Sequence, residues 1–446
     1  MFLCLVVTAC ESNRDRQARL QAEQSSAEAA AADSQETPAV PPGVPPAYDP
    51  DLAQISLFSG MRVGLLVPLS GPYKDVGEAL LNAAQLALFD IADDEFELLV
   101  GDTGGTPGGA RAAARNLLDQ GVRLMIGPLF STSVTSVSEE ARLRQVPVVA
   151  FSNNVAVAAP GTYVMGISPE SQVERIVNYA VSQQLYRFAV LAPNSPYGDA
   201  AMSAMQAAVF QSGGELVQVA TYDSSGTNMT DVVRHLADYD RRVQELEEER
   251  VRLEAVGDAA SKLALEHLEN RDTLNPPDYD AVLIAAGGRE LLTVAPLLAY
   301  YDVDSLEVRY LGTALWEDEN LGVEPTMLGG WFSAPPRALW DDFQARYRQI
   351  FGSVPPRVAS LGYDATALAA ILARQAANPM AVGVFSEAAL TDPNGFAGID
   401  GIFRFLPDGQ VQRVLTVYEV QRDGFRVLEP APSSFEYLTG ENSLVN

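Results

Sequence analysis

Hydroxyl and amide side chains gather at two places in this chain that could grip an anion. Ser131, Thr132 and Ser133 follow the apolar run Arg123–Ile126 and its stop at Gly127-Pro128. Ser152, Asn153 and Asn154 follow a second apolar run, Gln145–Ala150, with Phe151 between. Such residues cap helix N-termini, where free backbone N–H groups favour a carboxylate or another anion. If the two runs are neighbouring parallel strands, both loops leave carboxyl ends, where open α/β sheets place their ligand crevice. The same serines and threonine also serve a plain structural purpose as helix caps.

Other chemistries lack their residues. Ser70 and Lys74 are spaced SxxxK rather than SxxK, and no GxSxG occurs. His235 and His267 stand apart from each other and from any HExxH spacing. Cys4 and Cys10 both sit at the extreme N-terminus, so the body can build neither a disulfide framework nor a cysteine metal site. Gly101–Gly109 (GDTGGTPGG) holds neither GxGxxG nor GK[ST]. The chain is therefore expected to be no enzyme and to carry no cofactor or metal. Its net charge of −28 repels nucleic acid and anionic lipid, which removes both as partners.

The elements that must position these residues alternate strand and helix from Met61 onward: strands at Arg62–Leu69, Phe96–Val100, Arg187–Leu191, Leu216–Ala220, Ala281–Ala286 and Val308–Leu311, with helical segments between. Repeated βα units of this kind mean parallel sheets with helices on both faces. At 446 residues the chain exceeds what one core of about 250–300 residues holds, so two lobes are expected. Leu236–Arg271 breaks the rhythm as a densely charged helical insertion with a turn at Gly257-Asp258. It reads as a solvated helical hairpin or, on its thin seam Val243, Leu246, Leu253 and Val256, as a partner site. A ribbon turning at Asp408-Gly409 closes the fold.

The N-terminal part differs in kind. Met1–Ala9 is apolar but shorter than the roughly 20 residues that span a bilayer. Val7-Thr8-Ala9-Cys10 resembles a bacterial lipobox, although the positive stretch of a signal peptide is missing and the start codon is suspected of lying upstream. We read 1–10 as signal peptide and lipobox with Cys10 lipidated, and 11–58 as a disordered Ala/Pro/Gln-rich tether. Fully extended at ~3.3 Å per residue, such a tether reaches on the order of 100 Å. Glu11 is not the aspartate associated with inner-membrane retention, so the anchor is expected in the outer membrane.

VGLLVPLSGPY, the Asp102 loop, GVRLMIGPLFSTSV, VPVVAFSNN, LAPNSPYGDA, Gly287-Gly288, LGYDATALAA and the final ribbon together resemble the type I periplasmic binding proteins of the leucine/isoleucine/valine group. The resemblance runs from about Met61 to Glu429. It implies an α/β fold of two lobes, each a parallel sheet flanked by helices, with a hinge between. Lobe 1 would be 59–168 and 337–430, lobe 2 169–336 with the insertion 236–271, and 431–446 a tail. In that family an amino-acid carboxylate is held by a serine of one loop and by the next loop. Two aromatics and an acid come from the second lobe. These roles fall on Ser131, on Ser152, Asn153 and Asn154, and on Tyr197. The second aromatic position is Arg289 here, and the acidic one falls on Ala314, with Glu317, Asp318 and Glu319 just downstream.

Lipobox, tether and altered cleft resemble the penicillin-binding-protein activators, a lipoprotein branch of the same fold, without their N-terminal helical-repeat domain. That resemblance implies a non-catalytic periplasmic regulator of peptidoglycan synthesis whose partner is a class A penicillin-binding protein or another envelope protein. The alternative is an amino-acid receptor of an ABC transporter. Under either, the membrane is met only through the lipid. Cys10→Ser should move the protein from the membrane pellet to the soluble periplasmic fraction on fractionation; a mutant that still pellets would refute the anchor.

Overall fold

The computed structural model describes residues 60–93, 95–376 and 383–435. Contacts divide the chain into Met1–Phe58 and Ser59–Asn446, and the described residues all belong to the second unit. The expected signal peptide, Cys10, residues 11–58 of the tether and residues 436–446 of the tail lie outside them.

Five apolar runs become one parallel sheet. β1 (Met61–Val67), β2 (Phe96–Asp102), β3 (Leu124–Ile126), β4 (Val148–Ala150) and β5 (Thr162–Val164) lie in the order β2-β1-β3-β4-β5. α1 (Lys74–Ile91), α2 (Pro107–Asp119) and α3 (Ser131–Leu143) connect them. Along β1, Val63 and Leu65 enter one core and Leu66 the opposite one, as a strand covered on both faces requires.

The second sheet begins with α4 (Pro169–Ser182), β6 (Arg187–Pro193), α5 (Pro196–Gln211), β7 (Glu215–Tyr222) and α6 (Met229–Leu236). The insertion follows as a helical hairpin, α7 (Tyr239–Val256) and α8 (Ala259–Leu268). After it come β8 (Ala281–Ile284), α9 (Gly288–Tyr300), β9 (Arg309–Gly312) and β10 (Trp331–Ala334). α10 (Ala338–Phe351) and α11 (Ala359–Gln375) then pack back onto α1. A small antiparallel sheet of β11 (Phe396–Gly398), β12 (Gly401–Phe405) and β13 (Val411–Arg413) joins the core of the first lobe. β14 (Thr416–Gln421) and β15 (Gly424–Glu429) return to the second sheet, whose order is β15-β14-β10-β9-β8-β6-β7.

That return corrects one expectation. The sequence places residues 337–430 wholly in lobe 1, but β14 runs antiparallel to β10, with Phe332 opposite Tyr418. Their rings stack 5.3 Å apart, and Val417 and Val420 are fully buried. Alternating residues mark a strand but do not say which sheet edge accepts it. The chain thus passes between lobes at Met165–Ser168, Pro335–Arg337 and Val414–Leu415.

In the α7–α8 hairpin, Gly257 takes a left-handed φ of +65°, and Asp258 caps α8 by accepting from Ser261 N–H at 2.7 Å. Its root is structural, where the sequence suggests a mostly solvated segment. Leu236 and Leu246 are buried, and Arg242 is 1% exposed. The Arg242 guanidinium donates to the carbonyls of Ala237, Asn275, Tyr301 and Asp302 and to the Thr273 hydroxyl. Arg250, which interrupts the apolar seam, donates to the carbonyls of Leu268 and Arg271 and so ties α8's end to α7. Val256 remains 55% exposed.

Close approach of α11 to α1 depends on Gly362, where an added Cβ would stand 2.4 Å from the Leu80 carbonyl oxygen. Gly362→Ala should therefore destabilise the protein by about 1–3 kcal/mol, the cost of overpacking a tight core. Urea unfolding checks this; an unchanged midpoint would show that the helices separate freely.

Candidate functional site

In both sheets the order of the parallel strands reverses where a crevice is expected, between β1 and β3 in one lobe and between β6 and β8 in the other. Loops leaving the carboxyl ends of these strands and their neighbours enclose a cavity of about 470 Å³. Phe130, Phe151 and Asn153 line it from the first lobe, with Arg357, Val358, Ser360 and Asp400 from the segments that return there. Gln172, Tyr197, Ala314 and Leu315 line it from the second, and Gly166 and Ile167 from the crossing.

Of the residues singled out in the sequence, Asn153 and Tyr197 line this cavity. Tyr197 shares a 2.8 Å hydrogen bond with the Thr313 hydroxyl, and burial pushes its own hydroxyl up to about 12. Ser131 is the first residue of α3, half-buried and outside the lining. Ser152 is buried, and its Oγ accepts from Asn154 N–H at 3.1 Å. Asn154 in turn caps the short 3-10 helix Val155–Val157 through Ala156 N–H at 3.0 Å. These two side chains shape the loop rather than face the cavity. Arg289 is exposed near the start of α9 and also lies outside the lining.

Glu317 follows the 3-10 helix Ala314–Trp316 and is outside the cavity lining, its side chain 10% exposed. The Trp316 indole, fully buried, donates to the Ala286 carbonyl at 3.1 Å and fixes this loop to the second sheet. Glu317 Oε1 stands 3.4 Å from Arg357 Nη1 and 4.0 Å from Arg337 Nε. Burial pushes its carboxyl up to about 6, against the pull of the Arg357 and Arg337 charges.

Sequence reading missed the polar groups that the C-terminal segments bring in. Asp400, fully buried, accepts from the Ser360 hydroxyl at 2.6 Å and meets Arg357 Nη2 at 2.8 Å. Arg357 lies with its guanidinium 4.5 Å from the Trp340 ring centre. Arg413 donates to the backbone carbonyls of Asp400 and Met165. Asp364 accepts from Ile399 N–H at 2.7 Å, and burial, then the Asp400 charge, pushes its carboxyl up. Gln172 donates to the Ser168 carbonyl and accepts from Ala314 N–H at 2.7 Å. One signal was present: Asp364 stands in the otherwise apolar run of α11, and a buried acid there demands partners.

Among the described residues, no group of three His, Cys, Asp or Glu could hold a metal ion, and no helix is long and apolar enough to cross a membrane.

Comparison with known proteins agrees with this architecture. A family model described as periplasmic binding protein matches residues 60–425. An uncharacterised protein of Rickettsia prowazekii is 24% identical over 177 residues, 40% of this chain and 47% of that one. The penicillin-binding protein activator LpoA of Photobacterium profundum is 24% identical over 242 residues, 53% of this chain and 37% of that one. The matches to these two relatives thus span less than half of their length. Among solved structures, a Rhodospirillum rubrum protein assigned to branched-chain amino acid ABC transport matches with a TM-score of 0.66 at 17% identity, over 83% of this chain and 100% of that one. A leucine-binding protein of Thermotoga maritima matches at 0.53 and 17%, over 83% and 98%. At these identities the structures share the fold.

Glu317 and Asp364 have raised folded values, so the stability they contribute is present at low pH and lost as pH rises through those values. For Glu317, moving from 4.5 to about 6, the loss is on the order of 2 kcal/mol. Urea unfolding of wild type should show stability falling from pH 5 to 7.5, and Glu317→Gln should flatten that fall; an unchanged slope in the variant would assign the titration elsewhere.

Proposed function

This chain belongs to the periplasmic binding protein family, and from that premise we propose that it acts by protein contact, as a non-catalytic envelope protein that regulates a peptidoglycan synthase. The observation that carries this reading is the state of the cleft. A bound α-amino acid needs a carboxylate for its ammonium group, since a buried cation without a partner is costly. The acid lining the cavity is Asp400, which is engaged by Arg357 and Ser360. Glu317 is engaged by Arg357 and Arg337, and Arg289 replaces an aromatic outside the lining. Tyr197 and Gln172 are likewise bonded within the second lobe. The likeness to the activator LpoA points the same way and suggests a class A penicillin-binding protein as partner. We place the protein in the periplasm, lipid-anchored at Cys10, with residues 11–58 as the tether that gives it reach.

A second reading is supported by the cavity itself, whose 470 Å³ lies within the roughly 300–1,000 Å³ of small-molecule sites. It is a small-ligand receptor of ABC transport, with Asn153 and Tyr197 against the ligand and Ser131, Ser152, Asn154, Arg289 and Glu317 around it.

Two measurements on the full chain separate these readings. Immobilised protein should retain a class A peptidoglycan synthase from a detergent extract of the same cells, and amino acids should leave its thermal unfolding unshifted. A ligand at a hundred times its dissociation constant adds about 2.7 kcal/mol, so binding would be plain. A shift with no synthase retained would overturn the contact reading in favour of the receptor.

A further inference from the structure

Glu317 and Arg357 belong to different lobes. Glu317 is fixed to the second sheet through β9 and the buried Trp316. Arg357 precedes α11 and lies on Trp340, which packs with Phe343 and Ala83 in the first lobe. Asp400, immobilised by Ser360, holds the far side of the same guanidinium at 2.8 Å. The 3.4 Å approach of Arg357 to Glu317 therefore bridges two bodies joined by the three crossing segments.

The chemistry of this contact suits a device that releases. Every nitrogen of Arg357, and Glu317 Oε1, is sealed from solvent yet lacks an aligned hydrogen bond. The contact thus rests on charge and not on a directional bond, with the Arg357 cation offsetting part of the cost of burying the Glu317 carboxylate. Parting the lobes returns both groups to water, which compensates them individually. Arg337, at the second crossing, reaches Glu317 at 4.0 Å and Glu319 and Asp341 beyond it, so the hinge feels the same carboxylate.

We propose that Arg357 is a built-in cross-cleft latch: its guanidinium, held in the first lobe, is the cation that the buried Glu317 of the second lobe requires, and it keeps the two lobes together. The proposal is independent of which partner or ligand the protein serves. The competing account is an inert buried pair that adds to stability without setting the distance between lobes.

Pulsed electron paramagnetic resonance on the full chain separates the two. Asp75, exposed on α1 in the first lobe, and Arg289, exposed on α9 in the second, are replaced by cysteine and spin-labelled, in a chain carrying Cys4→Ser and Cys10→Ser. The parent should show one narrow distance population without ligand. Arg357→Met, which leaves the buried Glu317 carboxylate without its cation, should add a longer population. Arg357→Lys, which keeps the charge, should stay close to the parent, and adding Glu317→Gln to Arg357→Met should restore the parent's distribution. Urea unfolding confirms that each variant is folded. Should Arg357→Met fail to fold, Arg357→Gln, which also removes the cation, decides between the latch and the inert pair. A folded single variant lacking the Arg357 charge that keeps the parent's distance distribution would overturn the latch, as would a parent already broad.

Discussion

A fully buried carboxyl group loses its water and must be met by charge and hydrogen bonds instead, and in this protein Asp400 imposes that demand. Meeting it draws together parts that are far apart in the chain. Ser360 comes from α11 and Arg357 from the loop before it, while Arg413, at the end of β13, donates to the Asp400 backbone carbonyl. Arg413 then reaches the Met165 carbonyl at the first crossing, so the same cluster also fixes where the chain leaves the first lobe. The tightness is visible at Gly398, where a Cβ would lie 2.4 Å from Asp364 Oδ2. There is no room for a side chain between the small sheet and α11.

The cavity follows from that arrangement as much as from the two parallel sheets. Strand order opens a crevice at the carboxyl ends of β1, β3, β6 and β8, which is a property of the topology alone. What fills and lines the crevice is decided by the returning C-terminal segments. They set Arg357 and Asp400 against it and turn its charges inward on one another. The result is a cleft of ordinary size in which the charges of Arg357 and Asp400 face one another.

The α7–α8 hairpin obeys the same rule of satisfied burial at a smaller scale. Arg242 is taken out of water by the base of the hairpin and compensated almost entirely by backbone carbonyls. Its side chain staples the hairpin to the loop after α9 and the segment before β8. The distal part, carrying Val251, Val256 and Leu263 exposed, hangs from this root without contributing to the sheets.

How much of this was legible in the chain depended on the range of the signal. Apolar runs of the β1 and β8 type, glycine stops and capping residues act over a few residues, so the strand–helix alternation, the hairpin with its Gly257 turn and the β12–β13 ribbon could be read directly. So could the loops that bear Asn153 and Tyr197, because a loop after a parallel strand has a determined place in the sheet. Asp364 stood out as an acid in an apolar helix, but its sequence neighbours could not name its partner. Only the tertiary structure decided that β14 and β15 join the second sheet, since periodicity marks a strand and not its edge. It also decided that Ser152 and Asn154 turn toward their own backbone. Above all, it decided that Glu317 meets Arg357, 40 residues on, since Coulomb attraction depends on distance in space and the chain's course between lobes determines that distance.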